Sequence, residues 1–294
     1  MDYFIIAILL GSTYALIALG YALIYRSLRL INFAHGEFCT VGAYCAWLLV
    51  KFYHVPDWLG ILAGLSGGGL IAVLSWTLVY KPLRFASRTT GILAALGISI
   101  CLQQIMARIF GAQSKAFPEI TGDIHLRLGN IRIDSLSIFC LISTVVLFLF
   151  LHIIWKHTRL GLAIRAVADD RESAECVGLN SNLIMMSTFL IAGIAAGLAG
   201  IVLASSFGRV EPSMGFGPSI KAFVAALVCG LDSPKGAALG GIILGLGETI
   251  TVALGLSSYR DAVVLLFLVI LLIIRAKRET LISIQPSTQF VQDE

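Results

Sequence analysis

Polar side chains with a chemical use are scarce in this chain and fall in three places. Asn32-Phe-Ala-His35-Gly36-Glu37 sets an amide, an imidazole and a carboxylate around a glycine, between two apolar runs. Glu248 stands deep in a later apolar run. The third place is Arg159 to Asn182, where four acids and three arginines fall within the 17 residues from Arg159 to Glu175. An ionised group facing hydrocarbon costs about 2.5–3.5 kcal/mol on insertion scales. The first two places must therefore line a cavity, pair with neighbours or face water, and their natural chemistry is the handling of a polar solute inside a membrane.

Covalent chemistry has no such footing. The chain has no Gly-x-x-x-x-Gly-Lys-Ser/Thr phosphate loop, no His-Glu-x-x-His and no Gly-x-Ser-x-Gly elbow. The histidines at 35, 54, 125, 152 and 157 are scattered without metal spacing. No embedded acids are spaced as a proton relay. We therefore expect no cofactor, no metal and no catalysis by this chain, and uphill transport would need an ion gradient or another subunit. A stand-alone secondary transporter or channel would use Glu248 but leaves the charged stretch without a purpose. An intramembrane enzyme lacks a nucleophile.

Within the charged stretch a short helix can be framed. Asp169 is placed as its N-cap with Glu172 at N3, a capping-box-like pair. Gly178 falls where a left-handed residue ends a helix. Ser173 and Ala174 lie between. The expected helix is about 12 Å long at 1.5 Å per residue, short and rigid enough to pass force to something outside the membrane. Asn32 to Glu37 carries two readings: a broken-helix element facing the solute path, or a cytoplasmic turn in which Asn32 and Glu37 cap helices.

The elements that must position these groups are membrane spans. Of 294 residues, 58% are hydrophobic and 13% charged, against about 25% charged in soluble domains; the mean hydropathy is +0.92. Repeated apolar runs of about 17–22 residues match the hydrocarbon thickness. The fold class is an all-α polytopic integral membrane protein, a bundle of about 8–10 transmembrane helices with a cytoplasmic coupling helix and a small extracytoplasmic hairpin. The nine expected spans are Phe4–Tyr25, Phe38–Tyr53, Leu59–Tyr80, Gly91–Phe110, Leu136–Trp155, Leu183–Phe207, Phe216–Leu231, Ala237–Leu254 and Ala262–Ile274. Phe38–Tyr53 and Phe216–Leu231 are short and carry glycine, so either could be re-entrant or broken. Residues 1–294 form one transmembrane domain, with loops at 112–135 and 156–182.

Basic residues orient the bundle. Arg26, Arg29, Lys81, Arg84, Arg88, the 156–171 group, Lys235 and the 275–278 group fall in alternate loops, which the positive-inside rule assigns to the cytoplasm. The net charge of +4 lies mostly in these loops and does not point to nucleic acid. Asp2 ahead of the first run, with no basic leader, makes the first span its own insertion signal. In the outer loop 112–135, the alternation of 124–128 and 131–134 around Gly129-Asn130 predicts a β-hairpin.

Small residues at Gly193, Gly197 and Gly200, Gly236 and Gly240, and Gly241 and Gly245 mark close helix contacts. Arg108 and Lys221, near outer span ends, are expected to snorkel, and Asp232 lies at an inner end. The six cysteines, at 39, 45, 101, 140, 176 and 229, read as small buried residues and not as a disulfide frame.

The chain resembles the integral membrane permeases of branched-chain amino acid ABC importers, the LivH type, over nearly its whole length. Gly11-Ser-Thr-Tyr-Ala-Leu-Ile-Ala-Leu-Gly-Tyr followed by Ile31-Asn-Phe-Ala-His-Gly-Glu37 matches the opening signature. Pro82-Leu-Arg, Gly97-Ile-Ser and Lys115-Ala-Phe-Pro118 match the middle; Ser213-Met-Gly-Phe-Gly, Lys221-Ala-Phe-Val-Ala-Ala and Pro234-Lys-Gly-Ala-Ala-Leu-Gly-Gly241 match the carboxy-terminal part. Glu172-Ser173-Ala174-x-x-x-Gly178 resembles the ABC-permease coupling signature Glu-Ala-Ala-x-x-x-Gly, with Ser173 a small-for-small departure.

The resemblance implies a bacterial inner-membrane assembly. Its parts would be this chain, an identical or different second permease subunit, two cytoplasmic ATPase subunits docked on the 169–178 helix and a periplasmic solute-binding protein. The implied substrate is leucine, isoleucine or valine. Related permeases sharing Asn-Phe-Ala-His-Gly-Glu carry urea or short amides, so that class stands as the alternative.

Overall fold

A computed structural model describes residues 2–28, 31–83, 87–118, 125–128, 131–263, 265, 266 and 269–273. The chain runs through α1 (Asp2–Leu28), α2 (His35–Trp47), α3 (Asp57–Ser75), α4 (Arg88–Phe110), β1 (Lys115–Ala116), β2 (His125–Leu128), β3 (Ile131–Asp134) and α5 (Ser135–His157). It continues through α6 (Arg159–Asp169), α7 (Arg171–Cys176), α8 (Ser181–Phe207), β4 (Arg209–Val210), α9 (Phe216–Cys229) and α10 (Pro234–Ala253). Five-residue π turns, Leu48–Phe52 and Trp76–Tyr80, extend α2 and α3.

Among the described residues, six helices are long and apolar enough to cross a membrane: α1, α3 with its π turn, α4, α5, α8 and α10. The expected count was nine. The last expected span, Ala262–Ile274, is described in part, with helical residues at 262, 263, 265, 266 and 269–273. The other two are α2, which with its π turn runs from His35 to Phe52, and the 14-residue α9, and both start inside the bundle. Every α2 residue except Cys45 is buried. Gly215 at the head of α9 donates its N–H to Thr40 Oγ1 at 3.1 Å, and a Cβ on Gly36 would fall 2.6 Å from the Gly215 carbonyl oxygen. The two short helices thus start against one another. His35 at the head of α2 packs on Gly20 and Tyr21 of α1, about two turns before α1 ends.

α1 is the central post, packed along α5, α8, α9 and α10, with Leu16, Ile17, Leu19 and Ile24 fully buried. The outward faces of α3, α4 and α5 carry Leu70, Leu78, Leu93, Ile100, Ile109 and Val146 exposed. Side chains of that kind on an outer face suit hydrocarbon, which satisfies no polar group.

Lipid gives apolar helices little reason to leave it for each other, so association rests on close packing and interhelical bonds. The glycines expected to mark contacts do so. A Cβ on Gly241 would stand 2.3 Å from the Ala15 nitrogen, and one on Gly245 would stand 2.2 Å from the Gly11 nitrogen, so α10 meets α1 backbone to backbone. Gly193 and Gly197 of α8 meet Gly68 and Gly64 of α3 in the same way.

On the outer side, β2 and β3 pair antiparallel with Leu128 opposite Ile131, the hairpin expected there; its turn, Gly129-Asn130, lies outside the described residues. A second pairing, β1 with β4, aligns Lys115 with Val210. Trp47 Nε1 donates to the Ala116 carbonyl at 3.0 Å, which ties this ribbon to α2. All six cysteines are free, but only Cys39 and Cys140 are buried, and Cys101 and Cys176 are exposed. The expectation of six buried thiols fails because outward helix faces and the cytoplasmic loop accept small residues too.

Gly245→Val is expected to lower the melting temperature of the detergent-purified protein, since overpacking costs about 1–3 kcal/mol. Gly97→Ala, at a position with nothing within 4 Å of a new Cβ, should leave it unchanged or higher.

Candidate functional site

The charged stretch folds into two short helices. Thr158 caps α6, its hydroxyl accepting from the Gly161 N–H at 3.1 Å. Ile164 and Val167 bury one face of α6, and a Cβ on Gly161 would clash with the Ile154 carbonyl at 2.3 Å. Arg165 donates to the Trp155 carbonyl and lies 5.8 Å from that indole ring. α6 is thereby anchored under the inner end of α5.

α7 follows after a single extended residue, Asp170, at φ −148° and ψ 107°. Its carboxylate accepts from the N–H groups of Glu172 at 3.0 Å and Ser173 at 3.2 Å, and the Ser173 hydroxyl donates to it. The N-cap is therefore Asp170, and the assignment to Asp169 is corrected: Asp169 closes α6. Glu172 sits at N2 and Ser173 at N3, so no Glu reaches back, and the Ser173 hydroxyl bonds the cap instead. The one-position shift arises because a second helix, α6, not expected from the charge pattern, takes Asp169 as its last residue. Gly178 has φ +89°, the left-handed end expected there, with the Leu179 N–H donating to the Ala174 carbonyl at 3.1 Å.

α7 is six residues, about 9 Å long at 1.5 Å per residue. Arg171 bonds Glu175 at 2.9 Å and Ser181 at 2.8 Å, joining α7 to the start of α8. Ala174 faces inward, while Asp169, Glu172, Ser173 and Gly178 are exposed. Val177 beside them is 79% exposed, an apolar side chain presented outward from an otherwise charged loop.

Asn32, His35 and Glu37 are all buried, and they face different neighbours. Asn32 Oδ1 accepts from the Ala34 N–H at 3.0 Å and from the Tyr80 hydroxyl at 2.7 Å. The His35 ring lies 4.6 Å from the Tyr21 ring, and neither of its nitrogens meets the distance and angle of a hydrogen bond among the described residues. Glu37 Oε1 accepts from Gln103 Nε2 at 2.8 Å and Ser99 Oγ at 3.2 Å, both on α4. The segment is buried inside the protein and is not a water-facing cytoplasmic turn. Asn32 does act as a turn-former, and the N-cap position of α2 falls to Ala34.

Glu248 is fully buried and heads a charge network. The Tyr14 hydroxyl lies 3.0 Å from each of its oxygens. Lys221 Nζ donates to Glu248 Oε1 at 2.7 Å and to Asp261 Oδ1 at 2.6 Å, and Arg260 Nε stands 3.7 Å from Glu248 Oε2. Lys221 does not snorkel outward: its side chain is 10% exposed, because α9 starts inside the bundle and carries the lysine inward. The Lys221 ammonium holds the Asp261 carboxyl below the ordinary carboxylate range. Beside this network lies a cavity of about 320 Å³, bounded by α1, α9 and the Arg209–Met214 segment.

The family model for the branched-chain amino acid transport system permease component matches residues 3–274. The chain belongs to this permease family. It is 33% identical over 277 residues to the LivH permease of Escherichia coli K12, covering 90% of each chain, and 32% identical over 279 residues to the BraD permease of Pseudomonas aeruginosa, again 90% of each. A probable LivH permease of Methanocaldococcus jannaschii is 28% identical, over 83% of this chain and 78% of that one. Among solved structures, PsaBC from Streptococcus pneumoniae in complex with Fab is a distant likeness, with TM-score 0.49 at 14% identity over 92% of this chain and 91% of that one. The chain is thus a multi-pass membrane permease, of a family whose members supply the membrane subunit of a transport system.

In this permease the partners of the polar groups were not anticipated. Tyr80, Ser99, Gln103, Tyr14 and Asp261 gave no local signal, since each is ordinary in its own segment. One signal was available: Lys221 and Glu248 are opposite charges in neighbouring apolar runs, and such groups pair when lipid surrounds the bundle.

Two measurements follow for the permease. Removing one member of a buried ion pair costs about 3–5 kcal/mol, so Glu248→Ala should lower the melting temperature markedly, while Glu248→Gln, which can still accept from Tyr14, should cost less. Asp170 bonds the α7 amides, and the Ser173 hydroxyl bond, the largest cause, holds its carboxyl below its ordinary value of 3.8. A depressed carboxyl stabilises the cap above the unfolded value and loses it as pH falls through the folded one. Hydrogen-exchange protection of the Glu172 and Ser173 amides should be flat above about pH 4 and fall below it.

Proposed function

We propose that this chain is the membrane-spanning subunit of an ABC importer for leucine, isoleucine or valine in a bacterial inner membrane. Residues 1–294 act as one permease domain that supplies a passage and performs no ATP hydrolysis. A second permease subunit pairs with it, two ATPase subunits bind its cytoplasmic face, and a periplasmic binding protein delivers the solute. The observation that carries the reading is the match of the permease family over residues 3–274. The exposed, doubly capped α7 beneath the bundle supports the coupling role.

In this reading Glu172, Ser173, Ala174 and Gly178, with Asp169 and the capping Asp170 beside them, form the foot on which an ATPase subunit bears. Glu172 and Val177 offer a charge and an apolar contact to the docking groove. Because α6 is anchored under Trp155 and Arg171 ties α7 to Ser181, displacement of α7 is passed to α5 and α8. Tilting of those helices switches the cavity between outward- and inward-facing states. Asn32, His35, Glu37 and Glu248 belong to the pathway wall. Glu37 and Glu248 each bridge two or more helices, so relative motion of those helices must rearrange their bonds.

The test is uptake by the reconstituted assembly. A coupling free energy of about 1–3 kcal/mol corresponds to about 5- to 150-fold in the coupled quantity, so Glu172→Ala and Gly178→Arg should lower ATP-driven leucine uptake by a factor in that range with membrane insertion unchanged. Full-rate transport by Gly178→Arg overturns the role of α7. Uptake on a cation gradient without ATPase subunits overturns the ABC assignment, and uptake of urea without leucine moves the substrate to the amide class.

A further inference from the structure

We propose that the cavity beside Tyr14 and Lys221 is a binding site for the zwitterionic head of an aliphatic α-amino acid, with Glu211 receiving the ammonium and Arg209 the carboxylate. The assignment rests on the chain being an amino-acid permease and specifies where and by what chemistry it recognises its solute.

The argument begins with which charges are already satisfied. Lys221, Glu248, Arg260 and Asp261 lie together, two cations and two anions, and they bond one another: Lys221 reaches Glu248 at 2.7 Å and Asp261 at 2.6 Å, and Arg260 reaches Asp261 at 3.4 Å and Glu248 at 3.7 Å. Tyr14 completes the Glu248 carboxylate. This network is neutral in sum and forms one wall of the cavity. It leaves no formal charge for a ligand to neutralise.

Two other lining charges differ. Arg209 and Glu211 line the same cavity, and neither side chain has a hydrogen bond or ion pair among the described residues. Arg209 lies in β4 and Glu211 just past the end of that strand. Val210 between them is fully buried in an apolar cluster and does not line the cavity, whereas Arg209 and Glu211 both do. The ribbon fixes the approach to this segment: Ala116 stands opposite Arg209 in the β1–β4 pairing, and the Phe117 N–H donates to the Gly208 carbonyl at 3.0 Å. Glu211 is half-buried. A half-buried carboxylate without a partner is costly unless something cationic meets it.

The chemistry of the occupant follows. A pair of unlike charges two residues apart, without side-chain partners among the described residues, matches a molecule bearing both an ammonium and a carboxylate. An anion or a cation alone would leave one of the two uncompensated, and urea or a sugar carries no charge to meet either. Met214, Phe207, Gly217 and Pro218 complete the lining and give an aliphatic side chain an apolar surface. At about 320 Å³ the cavity lies at the small end of ligand pockets, about 300–1,000 Å³, which suits a single amino acid.

The experiment uses the assembled, purified complex carrying Ser213→Cys, since Ser213 is exposed and lines the cavity. Alkylation of the introduced thiol is read by peptide mass, separately from the native cysteines, with no binding protein present. Leucine at about ten times its Kd should slow alkylation about tenfold, as occupancy of a single site requires. Isoamylamine, which lacks the carboxylate, 4-methylpentanoate, which lacks the ammonium, and urea should not. Glu211→Gln should abolish the protection and lower leucine uptake about tenfold; Glu211→Asp should restore part of both.

A complex that transports leucine but shows no protection overturns the site and leaves the permease reading standing. Equal protection by isoamylamine or 4-methylpentanoate overturns the paired recognition. A complex that transports urea and not leucine overturns the substrate reading on which the site rests.

Discussion

Helices in hydrocarbon gain little by hiding apolar surface from a solvent that is itself apolar. What holds this bundle is therefore contact too close for side chains, and every other feature depends on it. Gly241 and Gly245 bring α10 onto the backbone of α1 at Ala15 and Gly11. That approach places Glu248 against Tyr14. The same device joins α8 to α3 through Gly193 and Gly197, and α8 to α2 through Gly200, where a Cβ would fall 1.9 Å from the Cys39 carbonyl. Once the backbones are this near, polar side chains on them have no room to turn away and must be satisfied by one another.

The two helices that start inside the bundle show the consequence. α2 and α9 begin inside the protein, against each other, through Gly36, Gly215 and Thr40. A helix that starts within a bundle carries its first-turn polar residues to a depth where lipid would reject them. Here Asn32 and Glu37 find Tyr80 and Gln103, and Lys221 finds Glu248 and Asp261. These bonds cross between elements, so any relative movement of the helices must exchange them. Cross-helix polar bonds and glycine contacts of this kind favour discrete arrangements of the helices over continuous sliding, which suits the proposed transport role.

At the cytoplasmic end the design is the opposite, stiff and local. α6 is pinned to Trp155, α7 is capped by Asp170 at one end and closed by left-handed Gly178 at the other, and Arg171 fastens it to α8. All these bonds are short in sequence. On the proposed coupling role, such a rigid foot would pass a push from an ATPase subunit to α5 and α8 without absorbing it on the way.

The sequence by itself determined what local physics can set. Apolar length made six spans, alternation about Gly129-Asn130 made the outer hairpin, small residues at helical spacing marked the contacts, and Gly178 ended its helix. The charged loop was legible for the same reason, although its cap fell one residue later, on Asp170. Tertiary structure alone decided the rest. It showed that α2 and α9 start within the bundle, against each other, and that Lys221 points inward. It paired Tyr14 with Glu248 across 234 positions and left the side chains of Arg209 and Glu211 without partners among the described residues. Periodicity and capping are properties of neighbours along the chain; which buried charge meets which depends on how separate helices approach, and no single segment carries that information.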